Sequence, residues 1–156
     1  MFLSLADRDK RVGLLAAERF VDLGFDLVAT EGTADALVAA GLPVREVLRK
    51  LSTSDVPSPD SGEGASYGSG PRRDAVELLE SGEVQLVVNS PRGRGPRADG
   101  AYIRSTAARV RVPLLTTAAA ALAAANGIAD TATHEPQVRS LQEYHRGVRA
   151  SGAGQR

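Results

Sequence analysis

A three-layer α/β sandwich, with a mainly parallel sheet of about five strands flanked by helices, is the fold class this sequence predicts. Three observations predict it. Short apolar runs alternate with stretches of helical periodicity, the order that produces crossover-connected parallel strands. Glycines stand where the helical stretches stop, the place of a C-terminal helix cap. The core must also be built from small and aliphatic side chains. The 156 residues include 25 alanines, three Phe, three Tyr and neither Trp nor Cys, a palette that suits close packing of helices on a sheet. That length is about one domain.

The elements follow in order. Phe2-Leu3-Ser4-Leu5 reads as an edge or first strand. From Val12 to Leu23 apolar groups recur at helical spacing (Val12, Leu15, Ala16, the Arg19 stem, Phe20, Leu23), and Gly24 ends the helix. Phe25–Ala29 is a strand, Ala34–Ala40 a helix closed by Gly41, and Val44–Leu48 a weaker strand. Ser52–Pro71 differs in kind: thirteen of twenty residues are Ser, Gly or Pro, so the stretch at about 52–72 is expected to be a flexible insertion. It contains Gly62-Glu63-Gly64, but no apolar strand precedes it, which argues against a dinucleotide loop. A helix over Arg73–Ser81 ends at Gly82, and Val84–Val88 is the fourth strand. Asn89–Arg97 is a loop, broken by prolines and glycines. A helix over Ala101–Val110, a strand over Pro113–Thr116 and a helix over Thr117–Asn126, ended by Gly127, complete the alternation. Pro136 is expected to start a last helix carrying Val138, Leu141 and Tyr144. One domain over 1–150 and a disordered tail over 151–156 result.

Composition removes several function classes. Nineteen basic and nineteen acidic side chains cancel, unlike the basic footprint of a general nucleic-acid binder. Without Cys there is no disulfide frame, thiolate metal site or cysteine nucleophile. The longest apolar run, Leu114–Ala125, is too short to span a bilayer, and Met1–Ser4 lacks the pattern of a signal peptide. A soluble, cytoplasmic chain with neither nucleic acid nor membrane as partner is expected. Charge is uneven, with six arginines and one acid, Asp99, between Arg92 and Arg111; a local anion site and an exposed basic helix face both fit.

Ligands in such folds bind at the carboxyl ends of the strands. Three features fall there: Asp9-Lys10 ahead of the first helix, Thr30-Glu31-Gly32-Thr33 ahead of the second, and Asn89-Ser90-Pro91-Arg92-Gly93-Arg94 after the fourth strand. Thr30 and Thr33 offer hydroxyls, Gly32 permits close backbone approach, and a helix start near Ala34 presents free N–H groups. Lys10 adds a charge, while Asn89 and Arg94 can donate to phosphate, sugar or base. Each has a bland alternative: Thr33 as an N-cap, Lys10 as a solvated lysine, Asn89 as a turn residue.

In combination, Asp9-Lys10 before a helix and Leu27-Val28-Ala29-Thr30-Glu31-Gly32-Thr33-Ala34 resemble the methylglyoxal-synthase-like (MGS-like) domain, a Rossmann-like fold. That domain occurs in methylglyoxal synthase, in a purine-biosynthetic cyclohydrolase and at the carboxyl end of the carbamoyl-phosphate synthase large subunit. Val87–Arg94 with Asp99-Gly100-Ala101-Tyr102-Ile103-Arg104, Pro113–Thr117, and Val138–His145 favour similarity to the last. The resemblance covers most of the chain outside 52–72 and implies a regulatory module rather than a catalytic one. It would bind a nucleotide monophosphate effector such as UMP or IMP. The matching positions are Lys10, Thr30, Gly32, Thr33, a basic residue that is Arg49 or Lys50, Asn89, Ser90, Pro91, Gly93 and Arg94. Implied partners are the catalytic domains of the synthase large subunit and, through them, the glutaminase small subunit. No cofactor is expected in this domain and no metal site; ATP and Mg belong to the catalytic domains of the full-length synthase. Pro91 stands where some relatives have threonine. Leu114 and Leu115 replace the tyrosine and acid of an ornithine-responsive relative. No ATP-grasp segment accompanies the domain here, so a fragment, a split gene product and an independent paralogue all fit.

Two other readings compete. A phospholyase acting on dihydroxyacetone phosphate needs the same phosphate cradle plus a carboxylate base. Here Asn89-Ser90-Pro91 carries no acid before Asp99, Asp74 reads as a helix N-terminal acid, and His134 and His145 lie near the end. A non-catalytic interaction module would instead use the arginines of Arg92–Arg111 against an acidic partner.

Overall fold

The computed structural model describes residues 1–49, 72–90 and 99–145. Strands and helices alternate: β1 (Phe2–Ser4), a 3-10 turn at Asp7–Asp9, α1 (Lys10–Asp22), β2 (Val28–Thr30), α2 (Glu31–Ala39), β3 (Glu46–Leu48), α3 (Ala75–Glu80), β4 (Val87–Asn89), α4 (Asp99–Arg109), β5 (Leu114–Leu115) and α5 (Ala118–Thr133). The sheet has five strands in the order β3-β2-β1-β4-β5, and every neighbouring pair is parallel.

Strand side chains alternate between faces, and both faces are covered, as a parallel sheet requires. Leu3, Ala29, Val47 and Val88 enter one core layer with Ala16, Ala17 and Phe20 of α1, Ala34 and Leu37 of α2, and Ala121 and Ala125 of α5. Phe2, Val28, Leu48 and Val87 enter the other with Ala75, Leu78 and Leu79 of α3 and Ile103 and Ala107 of α4. The first layer is thin where alanines meet alanines, which lets α1 and α5 pack closely; the Arg19 guanidinium also bonds the Asn126 side chain across them. Phe20 fills the thicker part, edge-on to Phe25 with centroids 5.2 Å apart, and truncating it to Ala would cost about 3–5 kcal/mol.

The predicted elements are all present, but their limits move for identifiable reasons. β1 is three residues long, and its register sets its neighbours: Phe2 lies opposite Val28 and Val87, Leu3 opposite Ala29 and Val88. Pairing therefore starts at Val28 rather than Phe25 and at Val87 rather than Val84, and β1 stops at Ser4, not Leu5. Phe25 belongs to the turn, its N–H bonding the Phe20 carbonyl at 2.9 Å. β3 likewise opens at Glu46, where it meets Val28, and β5 keeps only Leu114–Leu115.

Helix starts shift too. α1 begins at Lys10, and its inward face is Gly13, Ala16, Ala17 and Phe20, whereas Leu15 is 47% exposed. Gly13 sets that rotation, because a Cβ there would stand 2.4 Å from Leu5 Cδ1. α2 begins at Glu31, not near Ala34, with Thr30 as its extended N-cap; Thr33 is in the first turn and is not the cap. α3 begins at Ala75 and α4 at Asp99.

Gly24, Gly41 and Gly82 all take positive φ after α1, α2 and α3, as left-handed helix caps do. Arg111 takes the same conformation after α4 without being glycine, at φ 60°. Gly127 does not terminate α5, which runs on to Thr133; a helical glycine costs about 1 kcal/mol relative to alanine, which the alanine-rich surroundings offset.

The last helical segment occupies 141–145 rather than starting at Pro136. Ser140 and Glu143 begin it by exchanging backbone and side-chain hydrogen bonds, the reciprocal pattern of a capping box. Val138, Leu141 and Tyr144 are exposed rather than packed. The insertion over 52–71, with Gly62-Glu63-Gly64, and the tail over 151–156 lie outside the described residues. Among the described residues no helix is long and apolar enough to cross a membrane.

Candidate functional site

Topology singles out one end of the sheet. β1 and β4 are neighbours, yet the chain leaves β1 towards β2 on one side and β4 towards β5 on the other. Such a reversal opens a crevice at the carboxyl ends of the two strands. Ser4, Leu5 and Ala6 emerge there from β1, and Asn89 and Ser90 from β4, with Ser4 directly opposite Asn89.

Two buried hydroxyls hold this crest in shape. Leu5 donates its backbone N–H to Thr33 Oγ1 at 2.9 Å, and Ala6 donates its N–H to Ser90 Oγ at 2.8 Å. The Ser90 N–H returns to the Ser4 carbonyl at 2.9 Å. Leu5 and Ala6 lie beyond the ladder and would otherwise bury unsatisfied donors, a cost of about 1–3 kcal/mol each. Thr33 and Ser90 are 1% and 3% exposed. Each uses its oxygen as an acceptor here, which leaves a hydroxyl hydrogen to donate. Thr30 Oγ1 sits 3.3 Å from Thr33 Oγ1 and donates to it.

The helix starts at this end lack side-chain caps. Neither Thr30 ahead of α2 nor Asp9 ahead of α1 makes a side-chain cap hydrogen bond. The first-turn amides of α2 therefore keep their donors and its dipole its positive end, whereas α1 continues from the 3-10 turn, with the Lys10 N–H bonded to the Asp7 carbonyl. Lys10, whose side chain is about a quarter exposed, pairs with Asp7 at 2.9 Å. Glu31 in the first turn of α2 carries charge of the wrong sign for an anion, but Arg72 Nη1 pairs with it at 2.8 Å.

The structure thus brings Lys10, Thr30, Gly32, Thr33, Asn89 and Ser90 to the carboxyl end of the sheet. Asn89 is not a turn residue: it is the last residue of β4, 2% exposed, and its Nδ2 donates to the Gly100 carbonyl at 3.1 Å. Arg49 is engaged elsewhere. Its Nε donates to the Arg72 carbonyl at 3.0 Å and its Nη2 to Asp74 at 3.1 Å. Lys50, Pro91, Gly93 and Arg94, like Arg92 and Arg97, lie outside the described residues.

Asp74 caps α3: its Oδ1 accepts from the Val76 and Glu77 N–H groups, each at 2.9 Å, and Glu77 reaches back to the Asp74 N–H at 2.8 Å. His134 is exposed and pairs with Asp130 at 3.0 Å; His145 is exposed as well. On the opposite side of the sheet, Arg73 is held between Glu46 and Glu83. Donating hydrogen bonds to Glu46 and then Glu83 pushes its guanidinium pKa up, while Arg73 and then Ser81 hold the Glu83 carboxyl below its usual range.

Sequence reasoning left two arginines of this end out of the site. Arg72, at the margin of the Ser/Gly/Pro stretch, neutralises Glu31. Arg104 packs beside Gly100; the sequence marked it only as one of the arginines between Arg92 and Arg111 and as part of Asp99–Arg104.

Comparison with known proteins places the chain in a family. The model for the MGS-like domain matches residues 14–116. The carbamoyl phosphate synthase large chain of Mycobacterium sp. (strain JLS) is 40% identical over 146 residues, 93% of this chain and 12% of that protein. The large chain of Rubrobacter xylanophilus is 42% identical over the same share of each, and that of Mycobacterium tuberculosis 41% over 147 residues, 94% of this chain and 12% of that protein. The chain therefore spans 12% of the length of these relatives.

Proposed function

The chain belongs to the MGS-like domain family, and from that premise we propose that it is an effector-binding module of, or related to, the carbamoyl phosphate synthase large chain. It binds a nucleotide monophosphate such as UMP or IMP at the carboxyl end of the sheet. The observation that carries this reading is the pair of buried hydroxyls, Thr33 and Ser90, set beside the uncapped start of α2. A phosphate needs several convergent donors with little competing negative charge. Thr30, Thr33, the amides around Gly32 and Lys10 supply them, and Arg72 cancels Glu31. Asn89 and Ser90 lie farther along the crest, suited to the nucleoside. Lys50, Gly93 and Arg94 join the site by resemblance alone.

The module acts by linkage. A nucleotide that prefers one state of the attached synthase shifts its equilibrium by the difference in affinity between states, about 1–3 kcal/mol for typical couplings. Regulation of carbamoyl phosphate synthesis for pyrimidine and arginine biosynthesis follows, in the cytoplasm, with ATP and Mg used only in the catalytic domains and the glutaminase small subunit reached through them. Hydrogen exchange tests the location. UMP or IMP should slow exchange around Lys10 and Gly32–Thr33; unchanged exchange there at saturating nucleotide would refute the site.

A further inference from the structure

The end of α5 and the segment after it leave the body of the domain. Asn126 bonds Arg19 in the last turn of α1, and α5 then runs on to Thr133. All twenty residues from Asn126 to His145 are exposed. Ser140 and Glu143 cap the short helical turn within this segment, and Leu141 and Tyr144, three positions apart, share one of its faces. Val138, Leu141 and Tyr144 are 98%, 68% and 64% exposed. So short a helix has little stability in water by itself, and large apolar side chains gathered on an exposed segment mark a contact surface.

A cavity of about 490 Å³ opens at the same end of the sheet, opposite to the end that carries Thr33 and Ser90. Met1 and Val28, at the amino ends of β1 and β2, form its buried apolar floor with Leu78 and Val84. Its rim is polar, made by the Asp26–Arg45 ion pair, Glu46, Glu83 and Gln85. Leu23 and Gly24, which follow the last turn of α1, also line it, so it faces the side from which α5 emerges.

We propose that the chain pairs with a second copy by exchanging these segments, with Leu141 and Tyr144 of each copy seated in the amino-end cavity of the other. The pairing is independent of effector binding. An apolar floor beneath a polar rim suits a side chain with an apolar body and a hydroxyl tip, and tyrosine is such a side chain. The protruding group and the hollow belong to one chain and lie at one end of it, so a two-fold axis satisfies both at once. A different partner would cover only one of them. A standard interface takes about 20–30 residues a side, which the exposed segment and the cavity together supply. The chain carries no net charge, so two copies do not repel one another.

Sedimentation equilibrium of the chain, with Leu141→Asp and Tyr144→Ser variants alongside, tests the pairing. A dimer is expected at micromolar concentration, and each variant should weaken it about tenfold or more. Both side chains are exposed in the single chain, so circular dichroism of the variants should match that of the parent. Cross-linking then locates the contact. The chain has no cysteine, so a variant carrying Gln85→Cys and His145→Cys forms only the disulfides those two positions allow. Mild oxidation should yield a covalent dimer linking position 85 of one copy to position 145 of the other, identified by mass spectrometry of the digested product. A monomeric parent would overturn the inference, as would a dimer indifferent to both arm variants. So would a disulfide closed within one chain, which would seat the segment in its own cavity, or no link between positions 85 and 145.

Discussion

The starts of α2 and α3 solve the same problem in opposite ways. α3 closes its free amides with a full capping box, Asp74 to Val76 and Glu77 and Glu77 back to Asp74, and Arg49 braces the cap at 3.1 Å. α2 has a capping residue of the right type, Thr30, that makes no cap bond; its buried hydroxyl, Thr33, serves Leu5, just past the end of β1, instead. One helix start is closed for stability and the other is left open to an anion.

Four changes break or sharpen that contrast. Thr33→Val has the largest expected effect. It keeps the shape but strands the Leu5 N–H, which should lower stability by about 1–3 kcal/mol in denaturant titration, and it should weaken nucleotide binding at least tenfold. Asp74→Ala removes the cap of α3 and should cost about 1 kcal/mol, with nucleotide affinity unchanged; a loss of affinity would mean the two starts are not separate in role. Lys10→Ala should leave the melting temperature within a degree or two, weaken nucleotide about tenfold, and reduce the salt dependence of binding.

The smallest effect concerns pH. Arg73 depresses the Glu83 pKa in the folded chain, so the unfolded state binds the proton more readily. The contribution is present above the unfolded carboxylate value of about 4.3 and is lost as pH falls through the lower folded value. Glu83→Gln should flatten the acid limb of the stability curve below about pH 4, with nucleotide affinity at neutral pH unaltered.

The same contrast separates what was legible in the sequence from what was not. Alternation of strands and helices, and the caps at Gly24, Gly41 and Gly82, are local signals, and the fold followed from them. Asp74 was legible as a helix-start acid for the same reason. Thr33 was legible as a site residue but not in its structural task, because its partner Leu5 lies 28 residues away. Strand limits were misplaced because β1, three residues long, dictates register to its neighbours. Gly127 misled because it resembles a cap, yet α5 runs through it. Arg49 is tied to Asp74, and Arg104 to the space over Gly100, by tertiary packing that spacing alone does not encode.

Calorimetric titration of the chain with UMP and with IMP, at low and moderate salt, and with dihydroxyacetone phosphate as a third ligand, tests the central claim most directly. The account predicts saturable nucleotide binding that weakens with salt, and no methylglyoxal from the triose phosphate. Absence of nucleotide binding, with methylglyoxal released at an enzyme-like rate, would contradict it.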